Sequence, residues 1–226
     1  MNNPTVLAPR ACMKIISVNV GLPREVVWKG ITVRTAIFKE PVADTLAIRE
    51  LNLAGDQQAD LTVHGGSEKA VYVYPVEHYE YWRKQLPDVS FSWGAFGENL
   101  TTDGLSEDTL CIGDLLRAGS AILQATQPRM PCYKLELKFN RDDMIKRFLV
   151  SGRSGFYLSV IEPGDVGPGS GVEILDRDPD SVTISDIVRL YLGQARDPEL
   201  LQRATNVTSL PENWKTQLRL RAQNQV

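Results

Sequence analysis

Histidine and cysteine are scarce. His64 and His78 are the only histidines, and Cys12, Cys111 and Cys132 the only cysteines, in 226 residues. The cysteines are odd in number, far apart and form no C-x-x-C pair. Neither a disulfide framework nor a closed Cys/His zinc site is therefore expected. No apolar run approaches the roughly 20 residues of a membrane span. Residues 1–12 are polar and carry prolines, without the apolar stretch of a secretory signal. They read as a flexible leader, and the expected compartment is cytoplasmic.

A basic surplus is missing too. Lys and Arg number 25 against 28 Asp and Glu, for a net charge of −3. That is not the footprint of a nucleic-acid binder, so neither nucleic acid nor membrane is expected as a partner. A homodimer is left open. The glycine-rich stretch 163–171 has no Gly-Lys-Ser/Thr ending before a helix, which excludes a phosphate loop.

What is present is ordinary for a globular chain: 42% hydrophobic and 23% charged residues. The length suggests one large domain, or one domain with a small appendage. β-Branched runs at 14–20, 30–38, 45–53, 71–74, 110–112, 115–127, 156–161 and 171–175 are separated by Gly and Pro. Such short strands with frequent turn signals predict a barrel or sandwich. Residues 75–86 predict a helix burying Tyr79, Trp82 and Leu86, and 140–152 another, with Asn140 as its cap. After Pro179 three helices are predicted. They open at Thr183 with Asp186, at Asp197-Pro198, and at Ser209 with Glu212. The organisation expected is a leader over 1–12, a β-rich domain over 13–178 and a helical appendage over 179–226. The fold class is mainly β within α+β.

Four stretches could carry chemistry. In Gln127-Pro-Arg-Met-Pro-Cys-Tyr-Lys134, prolines stiffen the chain around Cys132, and Arg129 and Lys134 bring positive charge to the thiol. Cationic neighbours favour the thiolate, which attacks electrophiles and binds soft metals. A buried, inert cysteine is the alternative. In Asp60-Leu-Thr-Val-His-Gly-Gly-Ser-Glu-Lys69, His64 meets a Gly65-Gly66 turn whose amides could form an anion nest, with Lys69 beyond. A plain turn with a satisfied histidine is the alternative. Gly94-Ala-Phe-Gly-Glu-Asn-Leu100 offers Glu98 and Asn99, and Ser151-Gly-Arg-Ser-Gly155 offers Arg153; both also suit structural loops. Cys111, in an apolar strand, is expected in the core.

Together, these stretches resemble the MOSC domain, named from the C-terminal domain of molybdenum-cofactor sulfurase, and within it the YiiM-like branch. The residues that carry the resemblance are Asp60 to Gly66, Ala70 to Tyr79, Gly94 to Leu100, Gln127-Pro-Arg129, Cys132 and Gly152 to Tyr157. It spans roughly residues 13–223. The resemblance implies a β-barrel-like domain with a few peripheral helices. It implies a molybdenum cofactor of the molybdopterin type, with Cys132 as the metal-contacting or sulfur-carrying residue. It further implies reduction of N-hydroxylated compounds, such as N-hydroxylated purines or amidoximes, with electrons from a separate flavin reductase. Catalytic roles then fall to Cys132 and His64, and cofactor binding to Gly65, Gly66, Lys69, Asn99, Arg129 and Arg153. A non-catalytic carrier of the cofactor or of sulfur, using the same cysteine, is the alternative. A Cys132–His64 hydrolase lacks an orienting third residue. A sulfurase-type lyase would need a pyridoxal-phosphate domain for which the chain has no room.

Overall fold

Alternation of apolar and polar residues makes Lys14–Val20 the first strand, β1, with Ile15 and Val18 fully buried. It belongs to a computed structural model that describes residues 13–59 and 65–223. The leader expected over 1–12 lies outside those residues. The strands that follow are β2 (Arg24–Trp28), β3 (Ile31–Thr35), β4 (Glu40–Val42), β5 (Leu46–Ile48), β6 (Val71–Pro75) and β7 (Leu100–Asp103). Then come β8 (Leu115–Ala118), β9 (Ala121–Pro128), β10 (Phe156–Glu162), β11 (Gly164–Val166) and β12 (Val172–Asp176). Helix α1 (Glu77–Gln85) follows β6, and α2 (Tyr133–Phe139) and α3 (Met144–Ser151) lie between β9 and β10. Helices α4 (Ile184–Tyr191), α5 (Pro198–Asn206) and α6 (Glu212–Gln223) end the described chain. None of the described helices is long and apolar enough to cross a membrane.

Eight strands form one sheet in the order β12-β8-β9-β10-β6-β7-β1-β4. Only the β6–β7 pair is parallel. One flank of β1 serves both ends of this sheet. Its residues Val18 to Val20 pair with β4, while Lys14 bridges Gly171, just before β12. The Ile15 N–H donates to the Ser170 carbonyl at 2.9 Å, and the Val172 N–H to the Met13 carbonyl at 2.8 Å. The ends meet at this isolated bridge without a continuous ladder. The architecture is thus an α+β fold with a large, mainly-β sheet and six helices among the described residues.

Some elements differ from expectation for clear reasons. The strand predicted over 30–38 is the second arm of a β2–β3 hairpin, turned at Lys29 and Gly30, both with positive φ (51° and 77°). Pro41, expected to stop a strand, sits in β4 at the sheet edge, where its missing N–H costs no ladder bond. Asn140 does not cap the predicted 140–152 helix. It ends α2 in a left-handed conformation (φ 49°), and α3 begins only at Met144. Gly119 turns β8 into β9 at φ 58°, and any Cβ there would lie 2.2 Å from the Asp165 carbonyl oxygen.

Burial divides into two clusters. One joins sheet residues such as Leu116, Leu123 and Ala125 to Ile184, Ile187, Leu200, Ala204 and Leu218 of the helical tail. The other is aromatic, built from Tyr72, Tyr74, Tyr79, Trp82, Phe96 and Phe148. Tyr79, Trp82 and Leu86 are fully buried, as the sequence predicts. Cys111, 2% exposed, is a core residue whose thiol is pushed up chiefly by burial.

Candidate active site

The site begins where β9 ends. Gln127 and Pro128 pair with Tyr157 and Phe156 of β10, and the Arg129 N–H then donates to the Gly155 carbonyl at 3.2 Å. Gly155 must be glycine: its φ is 61°, and a Cβ would lie 2.5 Å from the Val73 carbonyl oxygen. The chain passes Pro131 and reaches Cys132, extended at φ −129°, which precedes α2 and accepts the Leu135 N–H at 2.9 Å. Cys132 is partly exposed. It lines two adjoining clefts.

The first cleft encloses about 670 Å³, including the solvent at its mouth, and is lined by Lys39, Lys69, Arg129 and Lys134. No Asp or Glu is among its described lining residues, although the chain as a whole is acidic. Tyr72, Phe96 and Tyr157 supply apolar walls. Lys39 pairs with Asp56 at 2.5 Å, so its charge is balanced within the protein. Burial pulls the Lys39 ammonium down, and Asp56 offsets part of that. Lys69 is also lowered by burial, with Glu68 opposing. Lys134 is 8% exposed.

Arg129 is the most constrained of these cations. It is 6% exposed, with its guanidinium 4.9 Å from the Phe148 ring centroid and 5.5 Å from that of Tyr72. Its Nη1 is buried without a hydrogen-bond acceptor among the described residues. Burial opposes its charge, yet Tyr72, Tyr157 and Cys132 around it hold the guanidinium above its ordinary range. Conversely, burial raises the Tyr157 hydroxyl, and Arg129 draws it partly back. A buried donor with no acceptor is costly, and it is a ready contact for an anion.

The other predicted residues are placed as follows. His64 lies outside the described residues. Gly66, exposed at φ 101°, leads into the 3₁₀ turn Ser67–Lys69 and accepts the Lys69 N–H at 3.0 Å. Neither Gly65 nor Gly66 lines the cleft. Asn99 lines it, but its amide is occupied in bracing the fold. Its Oδ1 accepts the Tyr72 N–H at 3.1 Å, and its Nδ2 donates to Asp56 at 2.9 Å. Arg153 points elsewhere. Its guanidinium lies 3.9 Å over the Tyr81 ring, and Nη1 donates to the Ser151 carbonyl at 2.9 Å, so it does not line the cleft.

Glu98 is fully buried. It accepts the Gly94 N–H at 2.8 Å, the Phe96 N–H at 3.0 Å and the Thr101 hydroxyl at 3.0 Å, and also the Tyr79 hydroxyl. It fixes the 94–100 loop rather than facing a ligand. Tyr157 and the Lys39–Asp56 pair were not singled out from sequence. Tyr157 stands within a quoted motif, but nothing local shows which way it faces, and an ion pair 17 residues apart has no local signature. No group of three or more His, Cys, Asp or Glu among the described residues could hold a metal ion unaided.

A family model for the MOSC domain matches residues 60–173, half of the chain, and includes the Cys132 segment. The chain belongs to the MOSC domain family. The MOSC chain is 38% identical over 201 residues to YflK of Bacillus subtilis (strain 168), covering 89% of this chain and 90% of that protein. It is 38% identical over 182 residues to YiiM of Escherichia coli (strain K12), covering 80% and 81%. A protein of Gibberella moniliformis (strain M3125 / FGSC 7600) named "Reductase" is 30% identical over 79% of this MOSC chain, which spans 32% of that longer protein. The crystal structure of YiiM from Geobacillus stearothermophilus superimposes with a TM-score of 0.76 at 33% identity, covering 93% of this chain and 99% of that one. MOSC domains are associated with binding or sulfuration of the molybdenum cofactor.

The site residues fit such a group. An anionic pterin phosphate finds Arg129 Nη1 buried and without an acceptor, and a cleft lining free of described carboxylates. A soft metal finds a thiol beside them.

Proposed function

We propose that the protein is a molybdenum-cofactor-dependent reductase of N-hydroxylated compounds, receiving electrons from a separate flavin reductase. One observation carries this reading. Cys132 borders a cleft whose deepest cation, Arg129, keeps a buried nitrogen without an acceptor among the described residues. The relative named a reductase supports it further.

Arg129, Lys69 and Lys134 would hold the anionic part of the cofactor. Arg129 suits two-pronged contact with phosphate oxygens, and the lysines act as point charges. Cys132 would be the thiolate ligand to molybdenum. When bound, the cofactor supplies the two-electron redox chemistry. The balanced reaction is R–NH–OH plus two electrons and two protons, giving R–NH₂ and water. Tyr72 and Phe148, packed on the guanidinium, keep water from the Arg129 face and so strengthen its pull on an anion. Asn99 and Glu98 keep the cleft wall rigid through their backbone contacts.

The test is Cys132→Ala in cofactor-loaded protein, assayed with benzamidoxime and a reduced flavin-protein donor. Reduction should be lost while the circular dichroism spectrum and pterin content persist. Undiminished turnover would remove the ligand role. Parent protein that only hands its cofactor on, without turnover, would make it a carrier instead.

A further inference from the structure

Glu107 lies between β7 and β8 and is 3% exposed. Its Oε1 accepts the Gly155 N–H at 2.6 Å. His78, the second residue of α1, places Nε2 3.0 Å from Oε1 and 2.8 Å from Oε2. The Glu107 main-chain carbonyl accepts the Ser185 N–H at 3.0 Å, in the first turn of α4. One residue thus joins α1, the helical tail and the turn at Gly155. Burying a carboxylate is costly even when it is paired, and packed apolar side chains often serve a fold as well. What Glu107 holds therefore matters more than the burial itself.

It holds the corner behind Arg129. Pro128 and Pro131 have no N–H to donate. The Arg129 N–H makes the link from this segment to the neighbouring strand, at the Gly155 carbonyl. Two tyrosines of β6 grip the same turn. The Tyr72 hydroxyl donates to the Ser154 carbonyl at 3.0 Å, and the Tyr74 hydroxyl to the Arg153 carbonyl at 3.3 Å. Tyr72 is also one of the rings on which the Arg129 guanidinium packs. The main chain of Arg129 and the platform under its side chain are therefore both referred to residues 153–155. Resting on the cofactor reading of the first cleft, we infer that Glu107, backed by His78, is a positioning residue for Arg129. It fixes Gly155, and through Gly155 the Arg129 main chain, so that the guanidinium stands aimed at the phosphate oxygens of an anion. A fork held in place before binding loses little freedom on binding.

The test follows the Arg129 Nε–H signal in ¹⁵N-labelled protein, identified by its loss in Arg129→Lys, alongside calorimetric titration with inorganic pyrophosphate. The Tyr72 and Phe148 rings beside the guanidinium make that signal sensitive to its position. Glu107→Leu removes the acceptor of the Gly155 N–H. It should shift the Arg129 signal and weaken pyrophosphate binding by about tenfold or more. Glu107→Gln keeps an oxygen for the Gly155 N–H, and its amide can donate to the other tautomer of His78. It should return signal and affinity to near the parent values. Glu107→Asp keeps a carboxylate but is one methylene short of reaching both partners. It should behave as Glu107→Leu does, and it decides the matter if Glu107→Leu does not fold. A role in stability alone would lower the urea midpoint of Glu107→Leu and Glu107→Asp, while the folded proteins kept the parent's signal and affinity. That result overturns the inference, and so does a Glu107→Gln protein that binds as weakly as Glu107→Asp. A parent that binds no pyrophosphate removes the cofactor reading of the cleft. The Arg129 signal in the variants then still decides whether Glu107 sets its place.

Discussion

Trp214 and Gln127 are joined by a buried 2.7 Å hydrogen bond across 87 residues of chain. The same Gln127 side chain donates from Nε2 to the Glu68 carbonyl at 3.3 Å. One amide therefore ties the helical tail to the turn that carries Lys69, beside the Cys132 segment.

Gln127→Leu removes that tie and strands a buried indole N–H. The expected cost is about 1–3 kcal/mol, the desolvation penalty of an unpaired donor. Urea unfolding checks it. A midpoint unchanged at equal slope would mean that the bond contributes nothing to stability.

Arg129→Lys keeps the charge but loses the planar fork. Inorganic pyrophosphate should bind the variant about 10- to 100-fold more weakly, the equivalent of losing one charge-assisted hydrogen bond of about 1.5–3 kcal/mol. Calorimetric titration of both proteins measures it. Equal affinity would put the anion elsewhere.

Lys69 carries a pH signature. Burial holds its ammonium below the ordinary lysine range. As pH rises through that lowered value, the charge is lost sooner than on an exposed lysine, and pyrophosphate affinity should fall with it. Lys69→Arg stays protonated throughout. Its affinity should vary less than the parent's across roughly pH 8–10. Parallel profiles would exclude Lys69 from anion binding.

Lys138 lies behind the 94–100 loop, donating to the Ile37 carbonyl at 2.9 Å and the Gly94 carbonyl at 2.5 Å. Burial pulls its pKa down to about 8, against the favourable charge of Glu98. Above that value the folded chain has released a proton that the unfolded chain still holds until the ordinary lysine range. Its contribution to stability therefore rises with pH in this window, by at most about 1.4 kcal/mol per unit. Tyr79, raised chiefly by burial and next by Glu98, acts oppositely once unfolded tyrosines ionise near about pH 10. Stability curves for the parent and Lys138→Met should converge or diverge accordingly, with the parent gaining more between about pH 8 and 9.5. Equal changes in the two proteins would contradict the buried charge.

The local elements were legible where short-range chemistry decides them. The Thr183–Asp186 capping box forms as the spacing predicts, with both reciprocal bonds present. Asp197 caps α5 by accepting the Glu199 and Leu200 N–H groups, each at 3.0 Å. The β run over 115–127 is strand as read, divided by a turn at Gly119 into β8 and β9. Longer-range decisions were not legible. Residues 100–103 look unremarkable alone and become β7 because β1 and β6 flank them. The strand expected over 110–112 is a single bridge, Cys111 to Thr183, because the tail meets it there.

The same division holds at the site. Cys132, Arg129 and Lys69 were visible as unusual residues among prolines and glycines, and they line one cleft. Arg153 stood out equally, but a tyrosine ring on α1, some 70 residues earlier, captures it. The second cleft was invisible, since its walls combine Lys69, residues 127–132 and Tyr157 with Tyr191, Asn213, Trp214 and Gln217 of the helical tail.

The shared flank of β1 makes the first strand of the described residues a clasp. A chain begun after Val20 would leave β7, β4 and the 169–172 segment with bare amides and carbonyls at once. The two ends of the sheet would come unfastened together, so this strand cannot be trimmed, tagged from within or swapped without opening the whole.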